Sequence, residues 1–310
     1  MKIAVIGSGA LGLYYGAMLQ RGGQDVHFLL RRDYQAICEH GLKVLSINGD
    51  FVLPKVQGYQ RPEEIGPADL VLIGLKTFAN QQLKALISPL VGDSTRILTL
   101  QNGLGNEQLL AGLFGSERII GGIAFLASNR GEPGVVHHLA FGHIIIGNLL
   151  RDSGSDLETL AEVFNSCGIG CRVSGDLMKT RWEKLVWNIP FNGLCALLLQ
   201  TVDRLLANPQ TSELIREIML EVIRAANAQG LTESIPFEYA AEMMQLGGNA
   251  GAYKPSMMVD REEGRQLEVS SIMRVPLEYG CRAGVAMPRT AMLATLLEQA
   301  LTIESAREGR

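Results

Sequence analysis

The sequence predicts an α/β chain: an N-terminal doubly wound sheet followed by an all-α C-terminal domain. Three observations carry this. The chain opens with an apolar, β-branched run that breaks into glycines and resumes as a helical pattern. Short apolar strands then alternate with helices as far as Val173. From Asp176 onward β signals stop and long helical periodicities replace them, a switch of hydrophobic period that marks a change of architecture. The boundary is placed near Ser174–Gly175, giving domains over residues 1–174 and 175–310.

Composition narrows the function classes. A chain of 310 residues, 47% hydrophobic and 19% charged, is long enough to bury a large core in two domains. Its net charge of −4 gives no basic face for nucleic acid, whose binding depends on phosphate neutralisation. No apolar run approaches the ~18–20 residues of a membrane span. Five scattered cysteines make no disulfide framework, and Cys167 and Cys171 lack the second pair a zinc site needs. The expectation is a soluble, cytoplasmic protein without a metal.

The elements follow in order. Lys2–Ile6 reads as a buried strand and Ala10 to about Gln20 as a helix, joined by Gly7-Ser8-Gly9-Ala10-Leu11-Gly12. Strand, G-x-G-x-x-G and helix form the dinucleotide-binding arrangement. The first glycine permits the tight turn, the second a close approach of pyrophosphate, and the third close packing of helix on strand. Helix N–H groups and the positive dipole end then face the phosphates. Glycines serving only a tight turn are the plainer reading, and a signal peptide is disfavoured by the glycine interruptions.

A second strand, Gln24–Leu30, ends in Arg31-Arg32. An NAD-binding chain usually places an acid about 20 residues past the glycines to meet the ribose 2′-hydroxyl. Guanidinium groups there suit a 2′-phosphate instead, so NADP(H) is expected; a solvated basic pair is the plainer reading. Asp33–His40 reads as a short helix, and Gly41–Pro54 as two strands about an Asn48-Gly49 turn. Asp69–Leu75 is a central parallel strand delivering Lys76 to the rim where such sheets bind ligands. Arg96–Leu100 delivers Asn102 to the same rim, although Asn102-Gly103 is also an ordinary turn pair. Arg118–Ser128, Gly134–Leu139 and His143–Gly147 read as short antiparallel strands. His137 and His138 point to opposite faces and are taken as structural. A helix over Ser155–Cys167 and a strand near Ile169–Val173 close the first half.

In the second half, Lys184, Asn188 and Asn192 fall at i, i+4 and i+8 of a helix whose other positions are almost all apolar. A polar stripe on a buried helix needs partners, and a polar substrate in a cleft supplies them; a lysine snorkelling from the core is the alternative. Pro190 should kink this helix locally. Further helices are expected at Ser212–Gln229, Phe237–Leu246, Gly264–Gly280 and Arg289–Ser305, with a flexible loop at Gly247–Gly251. Ser256 reads as a cap for the helix after it, and Glu268 as a site carboxylate or a solvated one; spacing leaves both open.

Together these stretches resemble the ketopantoate reductase (2-dehydropantoate 2-reductase) family over essentially the full chain. The resemblance rests on the Lys2–Gly12 opening, Leu30-Arg31, Leu75-Lys76, Gln101-Asn102-Gly103 and Trp182-Glu-Lys184-Leu with Asn188 and Asn192. Ser256-Met-Met-Val-Asp260 and Gly264-Arg-Gln-Leu-Glu268 complete it. It implies a Rossmann-type domain, a helical domain and a cleft between them. Arg31 and Lys76 would meet the 2′-phosphate region of NADP(H), Ala127 would lie near the cofactor, and Asn102 would bridge cofactor and substrate. Lys184 would be the general acid. Asn188, Asn192 and Ser256 would hold the substrate, and Glu268 would orient the substrate or the cofactor ribose. The implied activity is NADPH-dependent reduction of ketopantoate to (R)-pantoate. The family pattern after Glu268, Ile-Asp-Tyr-x-Asn-Gly, is replaced here by Val269-Ser270-Ser271-Ile-Met273-Arg274, which leaves another branched 2-keto acid open. A non-catalytic NADP(H) sensor is the reading from another class. The expected partner is a small 2-keto acid, with no nucleic acid or membrane, and a homo-oligomer is open.

Overall fold

The structure, a computed structural model, describes residues 1–150 and 157–308. The chain divides into two compact units, Met1–Gln101 with Asn106–Leu177, and Asn102–Gly105 with Met178–Arg310.

The first unit contains β1 (Lys2–Ile6), α1 (Ala10–Arg21), β2 (Asp25–Leu29), α2 (Tyr34–His40), β3 (Leu42–Ser46), β4 (Phe51–Leu53) and β5 (Gln57–Tyr59). It continues with β6 (Leu70–Ile73), α3 (Leu83–Ile87), β7 (Arg96–Thr99), α4 (Asn106–Phe114), β8 (Ile119–Arg130), β9 (Val135–Asn148), α5 (Leu157–Ser166) and β10 (Cys171–Val173). The sheet runs β4-β3-β9-β8-β7-β6-β1-β2-β5, with β10 beside β9. From β5 to β8 every pairing is parallel, while β8 and β9 are antiparallel. Alternation along the central strands builds two cores. Ile3, Val5, Leu70 and Leu72 pack on one face with Leu13 and Tyr15 of α1. Ala4, Ile6, Val71 and Ile73 pack on the other with Leu83 and Leu110. A strand buried on both faces has no polar side, which is why these read as continuous apolar runs.

Two sequence expectations change here. The separate strands at Gly134–Leu139 and His143–Gly147 are one strand, β9. What looks like a break is a bulge: Leu126 pairs with Phe141 and Phe125 with His143, leaving Gly142 unpaired. Phe141 and Gly142 both take positive φ, 64° and 118°, as a bulge allows. The short strand β5 went unread. Of the helix expected at Ser155–Cys167, residues 155 and 156 lie outside the described residues.

The second unit is helical: α6 (Leu177–Leu198, its first residue counted with the sheet unit), α7 (Val202–Ala207), α8 (Pro209–Asn227), α9 (Tyr239–Asn249), α10 (Ser256–Glu262), α11 (Val275–Arg282) and α12 (Pro288–Glu308). Its core sets Trp182, Leu185, Val186, Ile189 and Phe191 of α6 against Ile215, Met219 and Val222 of α8 and Leu293 and Leu297 of α12. Burying such side chains stabilises by roughly 1.5–3 kcal/mol each, which makes the all-round apolar α6 the central helix. It runs unbroken through Pro190. At its far end Arg261 donates to the carbonyls of Ala196 and, at 2.8 Å, Leu197. Asn208 caps α8, accepting from the N–H groups of Gln210 and Thr211 at 2.9 and 3.2 Å, with Pro209 in the first turn.

Three expectations are corrected. Gly247–Asn249 are helical, in the last turn of α9, not a loop. Residues 264–268 are not helical; winding resumes only after Glu268, because Gly264 takes φ 65°. The cap position of α10 is Pro255, not Ser256. The helix α7 went unread. Among the described residues no helix is long and apolar enough to cross a membrane.

Candidate active site

In the first unit, β1 ends at Ile6 and Gly7 turns the chain at φ 94°. A Cβ on Gly7 would lie 2.3 Å from the Leu75 nitrogen, and one on Gly12 would lie 2.3 Å from the Gly7 oxygen. Neither position has room for a side chain. Gly9 differs, since a Cβ there meets nothing within 4 Å. Gly9 heads α1, no side chain caps the helix, and its first turn holds no acid. Ala10 and Leu11 begin that turn, and the Ser8 hydroxyl is tied back to the Leu29 carbonyl at 2.8 Å. N–H groups without a side-chain cap at a positive dipole end, headed by a glycine with open space at its Cβ position, suit a pyrophosphate.

Two residues beyond β2, Arg31 is exposed and donates from Nη2 to Gln82 Oε1 at 2.7 Å. It borders an open cavity of about 510 Å³ lined also by Arg32, Tyr34, Gln35, Cys38, Glu39 and Gln60. Lys76 follows β6 at the start of a short 3₁₀ segment, Thr77–Gln82. Guanidiniums at the edge of an open cavity fit a phosphorylated ribose. Ala127 lies on β8 opposite Ala140 at a register irregularity, six residues past the last β7–β8 pair at Gly121. Sequence reading missed a chain of amides at this rim: Thr99 Oγ1 donates to Gln101 Oε1 (3.0 Å), Gln101 Nε2 to Asn80 Oδ1 (2.8 Å), and Asn80 Nδ2 to Asn106 Oδ1 (3.1 Å). No periodicity signals such contacts.

Within the second unit, the Lys184 ammonium donates to Asn102 Oδ1 at 2.9 Å. Burial among the apolar side chains of α6 holds its pKa well below the usual lysine value, at about 7. The neighbouring Arg181 charge pushes the same way, and the Glu268 carboxylate opposes both. Burial removes water from the charged form and Arg181 repels it, whereas Glu268 favours it. Arg181, one turn before Lys184 and itself buried, was not singled out in the sequence. Glu268, at 3% exposure, is buried and not a solvated carboxylate.

The asparagines divide in character. Asn192 Oδ1 accepts from the Met257 N–H at 3.1 Å and the Ser256 hydroxyl at 3.3 Å. It thereby caps α10 from α6, the task sequence reading assigned to Ser256. Asn188 is 6% exposed, yet its side-chain amide has no hydrogen-bond partner among the described residues. Buried polar groups usually have one, so the Asn188 amide stands with hydrogen-bonding capacity to spare one turn from Lys184. Among the described residues no group of three or more potential metal ligands occurs.

The family model described as ketopantoate reductase PanE/ApbA matches residues 3–151, and that of its C-terminal region matches residues 176–300. The chain belongs to the ketopantoate reductase family. A 2-dehydropantoate 2-reductase of Nostoc sp. is 39% identical over 293 residues, covering 93% of this chain and 91% of the relative. The crystal structure of a 2-dehydropantoate 2-reductase from Geobacter metallireducens GS-15 superposes with TM-score 0.95 at 63% identity, covering 97% of this chain and 100% of that one. A PanE/ApbA family ketopantoate reductase from Ralstonia eutropha JMP134 has TM-score 0.89 at 26% identity, with 98% and 100% covered. This ketopantoate reductase family member is an oxidoreductase acting on CH–OH with NADP(H) as cofactor, and the sensor reading falls away.

Proposed function

We propose that this enzyme reduces 2-dehydropantoate to (R)-pantoate with NADPH, in the synthesis of pantothenate and coenzyme A. The observation that carries this is Lys184, a lysine with pKa about 7 bonded to Asn102 and followed one turn later by the open Asn188 amide. When bound, NADPH supplies the hydride to the keto carbon. The residues of the chain do the rest. As the carbonyl oxygen gains charge, the Lys184 ammonium stabilises it and delivers the proton. Asn102 occupies one of the three ammonium N–H groups and so fixes where the others point. Asn188 offers its amide to the substrate. Asn192 has its oxygen committed to α10, leaving its NH₂ to reach a carboxylate or hydroxyl, with the Ser256 hydroxyl beside it. Glu268 keeps Lys184 charged against the pull of burial.

On this reading residues 1–174 hold the cofactor through Gly7–Gly12, Arg31, Lys76 and Ala127, and residues 175–310 hold the substrate and proton donor. A cytoplasmic location fits such a biosynthetic step. A second reading, a different branched 2-keto acid, is favoured by Ser270-Ser271 where the family pattern has Asp-Tyr. NADPH oxidation followed over a panel of 2-keto acids, with wild type and Lys184→Ala, decides between them. The expected result is fastest turnover with ketopantoate and a loss on the order of 10²–10⁴-fold in the variant. Preference for another keto acid would favour the second reading, and unimpaired Lys184→Ala turnover would remove the proton-donor role.

A further inference from the structure

The placement of Asn102 traces to a helix irregularity far along the chain. From Ser270 to Arg274 the backbone winds as a π-helix, and the Val275 N–H reaches back to the Ser270 carbonyl. That leaves the Ser271 carbonyl in an unusual position. Its α-helical donor would be Val275, which bonds Ser270 instead. Its π-helical donor would be residue 276, which is Pro276 and has no N–H. The helix offers Ser271 neither partner, and the carbonyl is taken up by the Leu104 N–H at 3.0 Å.

The neighbouring residue shows how close this approach is. Gly103 has φ 85°, and a Cβ on it would stand 2.1 Å from the Ser271 oxygen and 2.4 Å from its carbonyl carbon. Only glycine permits both the conformation and the approach. These residues all belong to the second unit, as does the Lys184 that Asn102 meets.

We propose that the π-turn and Pro276 together present the Ser271 carbonyl as a dock for Gly103-Leu104, and that this dock positions Asn102 on Lys184. Gly103, Pro276 and the Ser271 backbone are then positioning residues for the proton donor. The inference deepens the proposed function and rests on its assignment of Lys184. Wide turns of this kind recur at functional sites because they free backbone groups for other partners.

The test uses the full enzyme. Gly103→Ala drives the segment off the carbonyl, Pro276→Ala restores a competing helical N–H, and Gly105→Ala is the control. Gly105 also has positive φ, 89°, but a Cβ there would touch only Val275 Cγ1, at 3.5 Å. Gly103→Ala should lower kcat on the order of 10²-fold through misplacement of Asn102. Without its amide acceptor the ammonium is less favoured, so the pH midpoint of kcat should fall by roughly a unit. Pro276→Ala should move it the same way by less, and Gly105→Ala should leave it in place. Hydrogen exchange should show the Leu104 amide protected in wild type and faster in Pro276→Ala. Should Gly103→Ala fail to fold, Pro276→Ala and the exchange of Leu104 decide. An unshifted pH midpoint in the dock variants, or an unprotected Leu104 amide in wild type, overturns the dock. Because exchange reads the dock without chemistry, its outcome stays separable from a failure of Lys184→Ala to lose activity.

Discussion

Lys184 must be charged to donate a proton and desolvated to donate it well, and its surroundings split the difference. With a pKa of about 7, reduction should decline as pH rises through that value, since the acid is lost. Oxidation of the hydroxy acid should rise over the same range, since it needs the free amine. Steady-state rates in both directions against pH check this, and parallel profiles would contradict it. Arg31 makes a second test. Replacing it with alanine should weaken NADPH on the order of tenfold or more, from the ~1.5–3 kcal/mol of a charge-assisted hydrogen bond, and leave NADH nearly unaffected. Equal losses would move the 2′-phosphate elsewhere. At this scale the tight glycine turn and the placement of Lys184, Asn188 and Asn192 on one helix were legible because each is a local pattern. The Lys184–Asn102 bond joins positions 82 apart, and no periodicity encodes that.

Helices and strands were read well where one hydrophobic period dominates, as in β1, α1 and β6. They were misread where a long-range contact decides the boundary. α10 is capped by Asn192 from α6, whereas the late start of the helix after Glu268 follows from the local turn at Gly264. The start of α12, read to within one residue, is also capped from afar. Glu221 on α8, 1% exposed, accepts from the N–H groups of Arg289 and Thr290, both at 3.0 Å. It also takes the Thr290 hydroxyl at 3.1 Å and Arg289 Nη1 at 3.2 Å. One carboxylate thus caps a helix, satisfies a buried hydroxyl and meets a cation. Glu221→Ala should cost about 3 kcal/mol of stability, seen as a lower denaturant midpoint, with Glu221→Gln milder. A cost within experimental error would show that water replaces the cap.

For the molecule as a whole, a lysine with a depressed pKa ties stability to pH. Between pH about 7 and the unfolded value near 10.4, the unfolded chain holds a proton on Lys184 that the folded chain has released. The unfolded state binds more protons there, so this group's contribution to stability rises with pH across that window and is lost as pH falls through about 7. Lys184→Met should accordingly raise stability near neutral pH by a few kcal/mol and flatten the rise, as denaturant titrations at several pH values would show. A stabilised but inactive variant is the usual trade at a working site. The α/β-then-α architecture was readable from the sequence because a switch of period needs no long-range information. The grouping of Asn102–Gly105 with the helices was not, since the Leu104 N–H to Ser271 carbonyl bond joins positions far apart in the chain.

That grouping bears on how the protein can be taken apart. Four residues from the middle of the sheet sequence belong to the helical body, so no single cut separates the chain into its two units. A fragment beginning at Met178 lacks the Leu104 N–H for the Ser271 carbonyl and the Asn102 oxygen for Lys184. Mixing it with a fragment ending at Leu177 would have to restore both by reassembly. The two halves are interleaved in sequence, and the gene cannot be divided where the hydrophobic period changes without severing Lys184 from Asn102.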